Sequence, residues 1–155
     1  MEKHRIIDMH THSNASDGCL SPSEVLNYGK SKGLETMSLT DHDTLSGNRS
    51  LTDEDKKGIE FITGIELSAK VSSGRMHILG FDLDIESNTI NSRMKELHDN
   101  SVYSVITYLN QLKKDYGIVF SDEDVINVLR AERNIGRPDI ALLCIKYGYA
   151  DSVQD

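Results

Sequence analysis

The sequence predicts an α/β fold of mostly parallel strands, and three observations carry that expectation. Over the first 82 residues, apolar runs of strand length alternate with helical patterns in the order strand, helix, strand, helix, strand. The joins between them are capping and turn residues rather than long polar tracts. Beyond Ile85 the pattern is helix and turn alone, which divides the chain into residues 1–85 and a helical part, residues 86–155. Strands separated by helices pair in parallel through right-handed crossovers, and such sheets collect ligands at the C-terminal ends of their strands.

Each element has its own warrant. Arg5 to Met9 reads as a short strand. Ser21-Pro22-Ser23-Glu24 is a capping box with proline at the first helical position, opening a helix through Val25, Leu26 and Tyr28 that stops at Gly33. "ETMSLT", Glu35 to Thr40, is the second strand, followed by a short polar helix around Asp43 to Lys57. "IEFITGIELSAKV", Ile59 to Val71, holds one or two strands broken at Gly64, and "RMHILGFDL", Arg75 to Leu83, is another after a Ser-Ser-Gly turn. Ile90, Met94, Leu97, Val105, Leu109, Leu112 and Tyr116 recur at helical steps as a core-facing stripe, ended by Gly117. Ser121 caps a further helix, and Gly136-Arg137-Pro138 opens a last one through Ile140 and Leu143 to Gly148.

Composition narrows the function classes. With 37% apolar and 27% charged residues the chain is an ordinary globule, and 25 acidic against 17 basic residues argue against an extended nucleic-acid face. A phosphate-bearing substrate then needs metal ions to neutralise it. The two cysteines, Cys19 and Cys144, form no CxxC pattern, so reduced thiols in the cytoplasm are the simplest expectation. No apolar run is long enough to cross a membrane, and no membrane partner is expected.

The polar residues that punctuate these strands suggest chemistry. His10 and His12 share parity and so project to one side of an extended strand, with Asp17 in the loop that follows. His42 stands between two carboxylates in "TDHDT", Glu66 lies in "TGIELS", and His77 lies in "MHILGFD". Each of four successive strand-like runs thus brings an imidazole or a carboxylate to the place where a parallel sheet builds its site. A mixed set of this kind suits borderline divalent ions such as zinc, manganese or iron, and needs no thiol. Taken singly, each residue has a plainer reading. A histidine pair two residues apart is as readily accident as ligand pair, Asp41 and Asp43 can serve as cap and first-turn charge, and Glu66 can be a rim charge. His4 and His98 lie off the strand ends and read as surface residues.

These residues resemble those of the PHP family, the polymerase and histidinol phosphatase domain of metal-dependent phosphoesterases. "DMHTHSNASDG", "SPSEVL", "SLTDHDT", "GIELS" and "HILGFD" follow its motifs in order over roughly the first half of the chain. "IGRPDIA", Ile135 to Ala141, resembles the Gly-Arg-Pro-His signature of the subfamily of nucleoside 3′,5′-bisphosphate phosphatases and 5′ to 3′ exonucleases, with Asp139 in place of the histidine.

The resemblance implies a distorted barrel of parallel strands, incomplete here, with a helical insert. It implies up to three divalent ions: one held by His10 and His12, a second by His77 with Glu66 bridging, a third by Asp17 and His42. Arg137 is either a phosphate clamp, as a guanidinium fork suits, or a solvent-facing neighbour of a helix cap. The activity implied is hydrolysis of phosphomonoesters of small nucleotides or oligonucleotide ends by a metal-activated hydroxide. A histidinol-phosphatase-like enzyme or a non-catalytic binding module are the alternatives. Family members continue past the insert with further ligands, so the resemblance also implies partial metal occupancy, reduced or no activity in these 155 residues alone, and homo-oligomers formed through unpaired strand edges.

Overall fold

The computed structural model describes residues 6–153 apart from Lys70, Arg75 and Glu132, so His4 and the start of the first expected strand lie outside the described residues. The chain divides into two compact units, Met1–Met94 and Lys95–Asp155. The first contains strand β1 (Ile7–Thr11), helix α1 (Pro22–Ser31), strand β2 (Thr36–Leu39), helices α2 (Ser46–Ser50) and α3 (Asp53–Lys56), and strands β3 (Glu60–Ala69) and β4 (Met76–Phe81). The strands form one sheet in the order β1-β2-β3-β4.

Helix α1 starts where the sequence says it should. The Ser21 hydroxyl accepts from the Glu24 amide, while Glu24 Oε2 accepts from the Ser21 amide at 2.8 Å, closing the box in both directions. The helix turns Val25 and Leu26 inward against Met37, Leu39 and Leu51, with Leu34, Ile59 and Phe61 at the margin of this core. Leu26 and Leu39 are fully buried, and each contributes roughly 2 kcal/mol of transfer free energy. Strand β2 is buried at every position, as a central parallel strand covered on both faces requires.

Strands β1, β2 and β3 are parallel, joined by helical crossovers. Strand β4 departs from the expected parallel pattern: it runs antiparallel to β3, with Glu66 opposite Leu79 and Ser68 opposite His77. A parallel return needs a crossover of a dozen residues or more, and between Ala69 and Met76 there is room only for a turn. Strand β3 is also continuous through Gly64, where a break between two strands was one expectation.

The single helix expected around Asp43 to Lys57 is two. Leu51 is extended, and Thr52 caps a new helix whose Asp55 returns a bond to the Thr52 amide at 2.9 Å. Asp43 caps neither. It stands at φ 52° ahead of α2, and its Oδ1 accepts from the Ser68 amide at 2.7 Å, tying this turn to β3.

Helix α4, Asn88–Tyr116, spans the division between the units, and α5 (Asp122–Leu129) and α6 (Arg137–Lys146) complete the second. Gly117 ends α4 at φ 69°, a left-handed conformation that glycine adopts without strain. Val105 packs with Ile135 and Ile140 at the heart of this unit, flanked by Leu109, Leu112 and Leu129. Tyr116, expected on the same stripe, is instead 75% exposed at the helix end. The Tyr147 hydroxyl accepts from the Ser121 amide at 2.9 Å and donates to Asp124 at 2.7 Å, latching the end of α6 to the start of α5. Among the described residues no helix is long and apolar enough to cross a membrane.

Candidate metal centre

The parallel strands bring their C-terminal ends together, and the polar residues there converge on one carboxylate. Strand β1 slips register against β2 between Asp8 and Thr11, an irregularity of the kind that re-aims side chains beside functional sites. It carries His10 and His12 to the same side, with ring centroids 5.1 Å apart. Beyond β2, His42 forms an isolated parallel bridge with Glu66 of β3. His77 is opposite Ser68 on β4, so it shares a sheet face with Glu66 two positions along.

Glu66 lies at the floor of this cluster, 5% exposed. Its Oε2 is 2.9 Å from His10 Nε2, 3.1 Å from His12 Nε2 and 3.6 Å from His42 Nδ1. Its Oε1 is 2.7 Å from His77 Nδ1. The imidazoles follow one another around it, His12 to His42 at 4.7 Å and His42 to His77 at 4.8 Å between centroids. Asp17 approaches from the loop after β1, with one oxygen 3.3 Å from His12 Nδ1 and the other 3.6 Å from His42 Nε2. Burial pushes the Glu66 carboxyl up, but the bond from His10, the charge of His42 and the bond from His77 together hold it below the ordinary carboxylate value.

Among the described residues, three overlapping groups of donors could hold a metal ion, each with its ligand atoms within 4.8 Å of one another: His10, His12 and Glu66; His12, Asp17 and His42; and His42, Glu66 and His77. All six residues singled out in the sequence fall in at least one group. The chemistry of the set fits a divalent cation. Four imidazoles and two carboxylates, with no thiol among them, match the nitrogen and oxygen preference of zinc, manganese and iron. His12 Nδ1 is buried without a hydrogen-bond partner, although Asp17 is near enough to count as an ion pair. An orphaned ring nitrogen is costly unless something else uses its lone pair.

Arg137 and Asp139 belong to the second unit. Arg137 heads α6 and, with Tyr108, Tyr116 and Tyr149, lines a cleft of ≈ 370 Å³. Asp139 is buried; it forms a salt bridge with Arg133 and accepts from the Gly136 amide at 2.8 Å, so its carboxylate closes the start of α6. His98 is half-buried on α4 and belongs to none of the three donor groups.

Two residues that support the site are not singled out as part of it by the sequence. Asp41, read as a cap or first-turn charge, is instead fully buried and accepts hydrogen bonds from Ser13 and Ser16. Asn48 on α2 donates to the Leu39 and Gly64 carbonyls at 3.1 and 2.9 Å, bridging β2 to β3 just below His42 and Glu66. The available signal was the position of both residues within a few steps of "TDHDT", in a stretch too short and polar to be core.

Comparison with known proteins agrees with this architecture. The chain is 41% identical over 78 residues to a 5′-3′ exoribonuclease of Haemophilus influenzae, a match covering 50% of this chain and 28% of that protein. It is 31% identical over 94 residues to a 3′,5′-nucleoside bisphosphate phosphatase of Chromobacterium violaceum, covering 60% and 33%. The matches to curated relatives thus span between 28% and 41% of those proteins' length. A solved Bifidobacterium adolescentis structure, described as a metal-dependent phosphoesterase, shares the fold with a TM-score of 0.78 at 24% identity, over 99% of this chain and 54% of that one. A second, an amidohydrolase from Chromobacterium violaceum, superposes with a TM-score of 0.73 at 24% identity, over 96% and 52%. The four strands accordingly form a mostly parallel half-barrel sheet. The family profile described as the PHP domain matches residues 8–142, from β1 into α6, and the chain therefore belongs to the PHP domain family.

Proposed function

We propose that the centre built on Glu66 is that of a metal-dependent phosphoesterase acting on phosphomonoesters of small nucleotides, such as nucleoside bisphosphates, or on oligonucleotide ends. The observation that carries the reading is the convergence of four imidazoles and Asp17 on one buried carboxylate. His10 and His12 would hold one ion and His77 a second, with Glu66 as the anion shared between them, and His42 would serve a third, so that every imidazole is used once. Asp17, between His12 and His42, would serve that third ion as well. Divalent ions held there would neutralise phosphoryl oxygens and acidify a water molecule toward neutral pH. The names of the relatives from Haemophilus and Chromobacterium support a nucleotide substrate.

The chain's own residues would do the rest. Glu66 and Asp17 balance the cationic charge without thiolates, and the buried position of Glu66 keeps that charge pair in a low dielectric. Arg137 would contact phosphate through its planar fork; among the described residues no carboxylate is paired with it. The exposed apolar side chains of β4, Met76, Ile78 and Phe81, support assembly between copies, which light scattering would detect as a dimer mass.

The deciding experiment is phosphate release by the full-length protein from nucleoside 3′,5′-bisphosphates, 5′-phosphorylated oligoribonucleotides and histidinol phosphate, with and without added manganese. Manganese-dependent release from the nucleotides is expected. Release from histidinol phosphate alone would replace the nucleotide reading with the alternative, and no release from any of them would overturn the function.

A further inference from the structure

A carboxylate with no exposure at all sits next to the centre and outside it. Asp41 follows β2, is fully buried, and belongs to none of the three donor groups. Leaving such a group without partners would cost several kcal/mol, on the order of what a small domain's whole stability can spare. It is instead fully engaged, and the donors come from one place. Asp41 Oδ1 accepts from the Ser13 amide at 2.7 Å and from the Ser16 hydroxyl at 2.6 Å, and Oδ2 accepts from the Ser13 hydroxyl at 2.8 Å.

Ser13 and Ser16 lie between His12 and Asp17. The loop they belong to is shaped by its own backbone, with the Ser16 and Gly18 amides both donating to the Ser13 carbonyl and the Asn14 amide to Leu20. Those bonds fold the loop; they do not fasten it. Among the described residues, the hydrogen bonds that tie residues 13–18 to another element run to Asp41. The contacts of Asp17 itself, at 3.3 and 3.6 Å from His12 and His42, are too long to set the loop's position. Meanwhile the Asp41 carbonyl accepts from the Glu66 amide at 3.2 Å, so one residue joins the loop, the His42 turn and β3. The surroundings make room for it: a Cβ at Gly47 would stand 2.3 Å from Asp41 Oδ2.

We propose that Asp41 is a positioning residue for the group His12, Asp17 and His42, clasping the 13–18 loop so that Asp17 faces the two imidazoles. The inference rests on the metal-centre reading above and adds a selectivity to it. The two groups that share Glu66, His10 with His12 and His42 with His77, contain no residue of the 13–18 loop, so they depend on the clasp less than Asp17 does. Loss of the clasp therefore weakens most the one group that contains Asp17.

The test is calorimetric titration of the metal-free full-length protein with manganese and with cobalt, following the cobalt visible spectrum. Asp41→Ala is the direct variant, but it strands buried donors and can unfold the unit. Ser16→Ala removes one of the three bonds to Asp41 together with the 3.3 Å contact of the same hydroxyl to Asp17 Oδ1, and Ser13→Ala, which removes a bond to Asp41 without touching Asp17, must act in the same way; the two carry the test if Asp41→Ala fails to fold. Hydrogen-bond partners one step removed from a metal typically tune affinity about ten- to hundredfold, and Ser16→Ala is expected to weaken one class of site by at least the lower figure. That class should be the one Asp17→Ala abolishes, and Ser16→Ala should add nothing in an Asp17→Ala background. His77→Ala should instead weaken a different class. Binding by Ser16→Ala within twofold of the parent, equal weakening of every class, or additive effects with Asp17→Ala would overturn the clasp while leaving the centre intact. A parent protein that binds neither metal would overturn the centre and the clasp together.

Discussion

Replacing Asn48 with alanine asks whether the strand ends that carry the centre are held by a side chain or by the sheet ladder alone. Asn48 is 2% exposed and touches both strands: Nδ2 donates to Leu39 and Gly64, and Oδ1 accepts from the Gly64 amide at 3.3 Å. Alanine removes all of these bonds and leaves buried backbone groups facing a cavity. Each such group left unpaired costs about 1–3 kcal/mol, so the sum is at least about 3 kcal/mol. With a urea slope of about 1–3 kcal/mol per molar, the unfolding midpoint should fall by roughly 1–3 M. Urea titration followed by far-ultraviolet circular dichroism reads this directly. Asn48→Asp, which keeps the shape but turns a carboxylate toward two carbonyls, should be no better than alanine. A midpoint within about 0.3 M of the parent at unchanged slope would mean that these groups find other partners, and the reasoning would be refuted.

The other expected outcomes follow from single contacts. Glu66→Gln keeps the size of the shared ligand but removes its charge, and should weaken manganese binding by more than the roughly hundredfold reached by outlying partners; equal affinity by calorimetry would remove Glu66 from the centre. Asp55 is held down to about 2, mainly by the Ser23 hydroxyl and then by Thr52. A depressed carboxyl contributes stability above its ordinary value near about 4 and loses it as pH falls toward 2, so the Tm difference between the parent and Asp55→Asn should shrink across that window. A pH-independent difference would contradict it. Asp139→Ala should open the first turn of α6, seen as faster amide exchange at Gly136 and Ile140 than in Leu109 of α4, and unchanged protection would show that Asp139 does not close the helix.

The elements that could be read from sequence are those whose signals are local. The Ser21 box, the Gly117 stop and the long helix α4 depend on neighbours within a turn or two, and each appears where its residues place it, although of the expected stripe only Val105 is buried and Tyr116 is exposed. The alignment of β4 was not legible, because a strand's direction is set by the connection before it rather than by its own alternation. The polar helix around Asp43 to Lys57 was misjudged because Thr52 and Asp55 start a second helix within a stretch whose composition does not change. In the centre, the histidines stood out because a histidine near a strand end is uncommon. Asp41 and Asn48 did not, because what distinguishes them is burial, and their partners lie as far away in sequence as Ser13 and Gly64. A buried polar residue and a surface one look alike until the chain is folded.

The hairpin between β3 and β4 also bears on the order in which the donor set comes together. His77 meets Glu66 across a separation of only 11 residues, whereas His10 must close 56. The difference in loop-closure entropy is about 1.4 kcal/mol in favour of the hairpin pair. That pair also comes with its own antiparallel ladder, while the His10 contact waits on β1 joining β2. Ligands would therefore be recruited during folding from the C-terminal side of the sheet first: a half-site of Glu66 and His77 could capture an ion before β1 has docked, and an ion held there would draw the N-terminal histidines into place.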